Sequence, residues 1–194
     1  MLLHKNTLIV SEDIRKEFLF NNQTASMGSL LNEMTAFLKI HLPSEAYDDK
    51  ISSCKQIIIE LLTNAVKHSE AENTTVSVAI GNNRIEISKS DTGRKFYLAH
   101  YSGIPPLNLP FRKEYVGGRI KIYEDDISHL YSIIHNENRI VFELLEYPIE
   151  DVNVETNLLE HYGLLILTKL SNEFFYTFDP VTGSNIFTTV VHLS

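Results

Sequence analysis

Cysteine is nearly absent from this chain, and positive charge is in short supply. The single cysteine, Cys54, has no partner for an internal disulfide and gives no support for a Cys-built metal site, so the composition fits a reducing compartment. Against 25 Asp and Glu stand only 17 Lys and Arg, for a formal charge of -8 and a pI near 5.5. Phosphate backbones are held by clustered Lys and Arg, so a general nucleic-acid surface is excluded and only a local basic pocket is left open. Apolar runs of membrane-spanning length are missing too, and "MLLHKNTLIVSEDI" is interrupted by charge too early for the apolar core of a signal peptide. No membrane partner is expected, and the expected location is the cytoplasm. The eight histidines show no metal-ligand spacing such as His-x-x-x-His, which speaks against a histidine-built hydrolase.

What is present is ordinary for one globular domain: 43% apolar and 22% charged residues over 194 positions. Leu3 to Val10 has strand character, and "SEDIRKEFLFNN" offers Ser11 as the cap of a short helix. In "SLLNEMTAFLKIHLP", Leu30, Leu31, Met34, Phe37 and Leu38 recur at helical spacing before Pro43. A third helix is expected from about Ala46 through His68. Val76, Val78 and Ile80 then alternate, a Gly-Asn-Asn turn intervenes, and Ile85 and Ile87 alternate again, which predicts a hairpin with one buried face. "YGLLILTKLSN" reads as a short buried helix, and "EFFYTF" and "NIFTTVVHL" read as strands around a "DPVTGS" turn. This order predicts an α+β fold, a two-layer sandwich with a mostly antiparallel sheet and its helices on one face. Between Arg94 and Glu160 the pattern loosens. "RIKIY" and "NRIVFELL" look like further strands in what is expected to be an insertion or enlarged lid within a single domain spanning residues 1–194.

Within "IIIELLTNAVKHS", Glu60, Asn64 and Lys67 or His68 share one side of a helix whose other side is apolar. A solvated face is the plain alternative. A carboxylate, a carboxamide and an ammonium in line also supply a proton acceptor, an oxygen ligand for a hard cation and a phosphate counter-charge. After the hairpin comes "ISKSDTG". An ionised Asp91 at a strand end accepts from the exocyclic amine of adenine and repels the keto oxygen of guanine, and Gly93 lets the backbone approach a ligand. Asp and Gly are equally the residues of a tight turn.

"ELLTNAVKHS", a hairpin with "SDTG", then "YGLLILTKLS" and "GSNIFTT" together resemble the ATP-binding domain of the GHKL superfamily of histidine kinases, Hsp90-type chaperones, gyrase subunits and anti-sigma-factor kinases. The resemblance runs from about residue 46 to the C-terminus with the middle unmatched. It implies ATP and Mg²⁺ as cofactors, with Asn64 as metal ligand and Glu60 orienting or deprotonating the attacking group. It further implies Lys67 near the phosphates, Asp91 on the adenine amine, Gly93 admitting the base and Thr188 supporting Asp91. Gly163, with Leu164 after it, resembles the opening of the helix behind the phosphates. In form the chain is similar to stand-alone anti-sigma-factor kinases, which implies a regulatory protein partner and allows a homodimer.

Two departures fall on the phosphate loop and lid. Lys95 follows "DTGR" where the family has a second glycine, and His161 replaces the first of a glycine pair, leaving Gly163 alone. Fewer glycines leave a backbone less able to wrap phosphates. The expected function is therefore an ATP·Mg²⁺-binding regulatory module with γ-phosphoryl transfer to a protein as its candidate activity. The alternative is a catalytically inactive interaction module of the same fold with weak or no nucleotide binding. Arg112, Lys113 and Arg119 of "FRKEYVGGR" either reach phosphate or form a solvated basic loop.

Overall fold

The computed structural model describes residues 13–98, 107–147 and 162–194. Strand β1 (Ile14–Phe20) leads into helix α1 (Thr24–His41), and one 3₁₀ turn over Glu45–Tyr47 leads into helix α2 (Asp48–His68). Hairpin β2 (Thr74–Gly81) and β3 (Arg84–Asp91) follows, then the two-residue strands β4 (Tyr97–Leu98) and β5 (Leu107–Asn108), which pair only with each other. Strands β6 (Arg119–Glu124), β7 (Ser128–Asn136) and β8 (Arg139–Glu146) precede helix α3 (Tyr162–Leu170), and β9 (Glu173–Asp179) and β10 (Ser184–His192) close the chain. The main sheet has eight strands in the order β1-β2-β3-β10-β9-β8-β7-β6, all neighbours antiparallel.

Periodicity explains most of these elements. In α2, Ile51, Cys54, Ile57, Ile58, Leu61, Leu62 and Ala65 are buried, a helical stripe turned toward the sheet, while Asp48 and Asp49 in its first turn and Lys67 and His68 in its last suit the helix dipole. In β3, Ile85, Ile87, Lys89 and Asp91 alternate inward toward the helices, and Glu86, Ser88 and Ser90 lie on the other face. Asn82 and Asn83 turn the β2–β3 hairpin with φ of 49° and 59°, the left-handed pair that a two-residue hairpin loop needs. The helices lie on one face of a largely antiparallel sheet, and the α+β two-layer sandwich is borne out.

The first described element departs from expectation. The stretch containing "IRKEFLF" is a strand and not the helix predicted behind Ser11. Phe18 and Phe20 are buried while Leu19 between them is 71% exposed, a period of two, and β1 pairs with β2 from Ile14↔Ile80 to Phe20↔Thr74. Ser11 and the strand expected at Leu3 to Val10 lie outside the described residues.

The stretch expected as an insertion or lid supplies sheet over its described part. "RIKIY" and "NRIVFELL" are β6 and β8 as read, and β7 between them is an additional strand. β8 joins β9 through Arg139↔Thr177, Ile140↔Tyr176 and Val141↔Phe175. Phe142 stacks on Phe174 at 4.5 Å between ring centroids, and Leu130, Ile134 and Ile140 are buried with them, so these strands share the core beneath the helices. Residues 99–106 and 148–160 of that stretch lie outside the described residues.

Candidate functional site

The polar side of α2 meets a second helix. Glu60 and Asn64 are half-buried, and Lys67 and His68 in the last turn are exposed. Gly163, the second residue of α3, comes so near that a Cβ added to it would lie 3.0 Å from Glu60 Oε2 and 3.5 and 3.7 Å from Asn64 Oδ1 and Nδ2. A side chain there would ask the tip of Glu60 to give way by a few tenths of an ångström. Leu164 beside it is buried in the core and pins the start of α3. Burial raises the carboxyl pKa of Glu60, and the Lys67 ammonium works in the opposite direction. The middle of the stripe is thus partly desolvated against α3 and is not a plain solvated face.

A carboxylate and a carboxamide oxygen suit a hard cation such as Mg²⁺, which keeps waters and phosphate oxygens for most of its ligands. Among the described residues no group of three or more His, Cys, Asp or Glu forms a metal cage. A metal here would rest on Asn64, Glu60 and the oxygens of a phosphate. The donor chemistry of Glu60 and Asn64 fits such a group.

At the other motif the protein supplies partners of its own, leaving Asp91 Oδ2 in an ion pair without a hydrogen bond. Asp91 closes β3 and its side chain is 1% exposed. Asp91 Oδ1 accepts from the Gly93 N–H at 2.9 Å and from Asn185 Nδ2 at 3.3 Å. Asp91 Oδ2 lies 2.6 Å from Lys89 Nζ, and that ammonium stands 5.3 Å from the centre of the Phe187 ring. Asn185 also donates to the carbonyls of Gly93 and Arg94 at 3.1 and 3.3 Å, and Tyr176 donates its hydroxyl to Asn185 Oδ1 at 2.7 Å. Burial pushes the Tyr176 pKa up, with the Asp91 charge adding to the effect. Phe96 covers the neighbouring sheet, its ring 5.2 Å from Tyr176 and 5.5 Å from Phe187.

Gly93 fastens this strand end to α2. A Cβ there would fall 1.6 Å from the Ser69 carbonyl oxygen, and the Arg94 N–H donates to that same oxygen at 2.8 Å. The room that a glycine opens is taken by the end of α2. Both motifs therefore lie along the last turns of one helix: Gly163 against Glu60 and Asn64, and Asp91 and Gly93 against the residue just past His68.

Thr188 does not join them. The β3–β10 register sets it opposite Ser88, on the face away from the helices, whereas Asn185 stands directly across from Asp91. The motif "GSNIFTT" holds the supporting side chain, but it is Asn185, three residues earlier and of opposite strand parity. Sequence reasoning also passed over Lys89, although it stands at the inward phase of Ile85-Ile87-Lys89-Asp91, where a charge must find a partner. Lys95, in the place of the second glycine, lies over the Phe178 ring at 4.1 Å. Arg112 pairs with Glu114 at 3.5 Å, and Arg119 pairs with Glu143 at 3.2 Å and stacks on Tyr131 at 3.8 Å. Lys113 lines a shallow groove with Val116 and Asn136 to Asn138. These cations belong to the β6 edge of the sheet, with acidic partners of their own for the arginines. His161 lies outside the described residues.

The two-layer sandwich thus sets an acid and an amide of one helix against a glycine of another, with a strand-end acid at the same helix's close. Residues 49–139 match the family model "Histidine kinase-, DNA gyrase B-, and HSP90-like ATPase", just under half of the chain. The match runs from α2 into the start of β8 and bears out the resemblance to the GHKL superfamily. No curated protein matches the chain. Among the described residues no helix is long and apolar enough to cross a membrane.

Proposed function

We propose that the chain is a cytoplasmic ATP·Mg²⁺-binding regulatory module that acts on a protein partner. The observation that carries this reading is the approach of Gly163, in the first described turn of α3, to Glu60 and Asn64, which gathers an oxygen donor pair and helix backbone at one point. In this reading Asn64 Oδ1 ligates the metal, the first N–H groups of α3 at Gly163 and Leu164 face phosphate, and Lys67 supplies counter-charge from the rim. Mg²⁺, when bound, neutralises the triphosphate oxygens. Glu60, with a raised pKa, is the residue to take a proton from an acceptor hydroxyl, and γ-phosphoryl transfer to a protein is the activity such a pair supports. A second copy of the chain is a further partner that this reading allows.

Nucleotide titration with and without Mg²⁺, followed by thermal unfolding, tests the proposal. ATP at a hundred times its Kd stabilises the fold by about 2.7 kcal/mol, and Asn64→Ala removes the Mg²⁺ dependence of that gain. No ATP-dependent shift at millimolar nucleotide overturns the reading.

One observation favours the second reading, an inactive interaction module with weak or no nucleotide binding: the Asp91 carboxylate is already engaged by Lys89, Asn185 and Gly93. Intact mass after incubation with ATP and candidate partners separates the two, since a module without transfer leaves every chain unmodified.

A further inference from the structure

We infer that Lys89 sets the base preference of this site: its ammonium holds Asp91 where a 6-aminopurine would bring its amine, so adenine is bound only at the cost of displacing an internal cation. The inference rests on the nucleotide-binding reading above and specifies the base it favours.

Donor and acceptor accounting carries it. An ionised carboxylate only accepts, and an exocyclic amine and an ammonium only donate, so the two compete for the same oxygens. Asp91 Oδ1 takes two N–H donors, Oδ2 faces Lys89 Nζ at 2.6 Å, and the side chain is almost wholly enclosed. The one Asp91 oxygen without a hydrogen bond, Oδ2, is the one that the Lys89 ammonium covers, so an amine reaches it only by displacing that cation. Lys89 is held as well, with its ammonium against the Phe187 ring and its side chain 5% exposed. To yield its place it must leave that contact and find water. The inward row Ile85-Ile87-Lys89-Asp91 shows what an uncharged residue would do instead: an aliphatic side chain at position 89 completes the apolar row and leaves Asp91 in want of a donor.

The same ammonium does not oppose a 6-oxopurine. Guanine presents O6 and N7, both acceptors, where adenine presents its amine beside N7. Lys89 therefore removes the advantage that a bare carboxylate gives to adenine, and the discrimination between ATP and GTP collapses or inverts.

The test uses the full chain as wild type, Lys89→Met and Lys89→Gln, each titrated with ATP and with GTP in the presence of Mg²⁺ by calorimetry and thermal shift. The expected result is that Lys89→Met melts below wild type without nucleotide but binds ATP tighter by about tenfold or more, with no gain for GTP. Lys89→Gln keeps a donor for Asp91 without the charge. It serves if the methionine variant does not fold: a neutral amide yields Asp91 to an amine more readily than an ammonium does, so it moves the ATP-to-GTP ratio in the same direction by a smaller amount. Equal ATP affinity in wild type and variants, or an equal gain for both nucleotides, overturns the role of Lys89 while leaving nucleotide binding intact. If no chain binds either nucleotide, the functional reading falls and takes this inference with it.

Discussion

Glu60 must lose its proton to act as a base or to face a metal, and its surroundings oppose that charge. Burial against α3 raises its pKa from an ordinary 4.5, with Lys67 offsetting part of the effect. The linkage sign follows from proton counts. Between the unfolded pKa and the raised folded one, the native chain keeps a proton that the unfolded chain has released, so stability falls as pH rises through that window. Glu60→Gln removes this dependence. Thermal unfolding of both chains from about pH 4 to pH 7 is expected to show the variant gaining on wild type as pH rises, and a flat difference would mean that the site does not oppose the charge. The acid, the amide and their helical spacing were legible in the sequence. Their contact with Gly163 was legible only through a family resemblance, because nothing local to "YGLL" says which helix that glycine will touch. Asn185 was hidden by parity, since a strand's two faces are distinguished by a single residue of register, and Thr188 was read on the wrong one.

The junction of β3 with α2 shows how one element sets another. The strand ends in Asp91, turns through Gly93, and passes so near Ser69 that no side chain fits between them. Gly93→Ala forces either the last turn of α2, which carries Lys67 and His68, or the strand end to retreat. Because the obstacle is a backbone carbonyl, it cannot swing aside like the tip of a side chain. The expected loss is about 3 kcal/mol or more in urea unfolding, the upper range for overpacked sites. A loss below about 1 kcal/mol would show the two ends free to move apart. This junction also explains which elements the sequence revealed. α1, α2 and the β2–β3 hairpin have long, regular periods that local propensity and burial both support. β1 failed because only Phe18 and Phe20 carry its period, and its pairing with β2 is non-local.

At the scale of the whole molecule, the question is whether β6–β8 belong to the fold or hang from it. A lid is expected to melt independently, but these strands continue the main sheet beyond β9 and share its core. Phe142 is the joint: it stacks on Phe174 of β9 and meets Phe96, which in turn covers Tyr176 and Phe187 beside the Lys89–Asp91 pair. A void at Phe142 therefore loosens β8, β9 and the cover of the site together. Phe142→Ala is expected to cost about 3–5 kcal/mol and to lower one cooperative transition. Hydrogen exchange decides between the two pictures. Loss of protection extending into β10 and α2 marks one folding unit, whereas loss confined to β6–β8 would mark those strands as an appendage and free the Lys89–Asp91 pair from dependence on them.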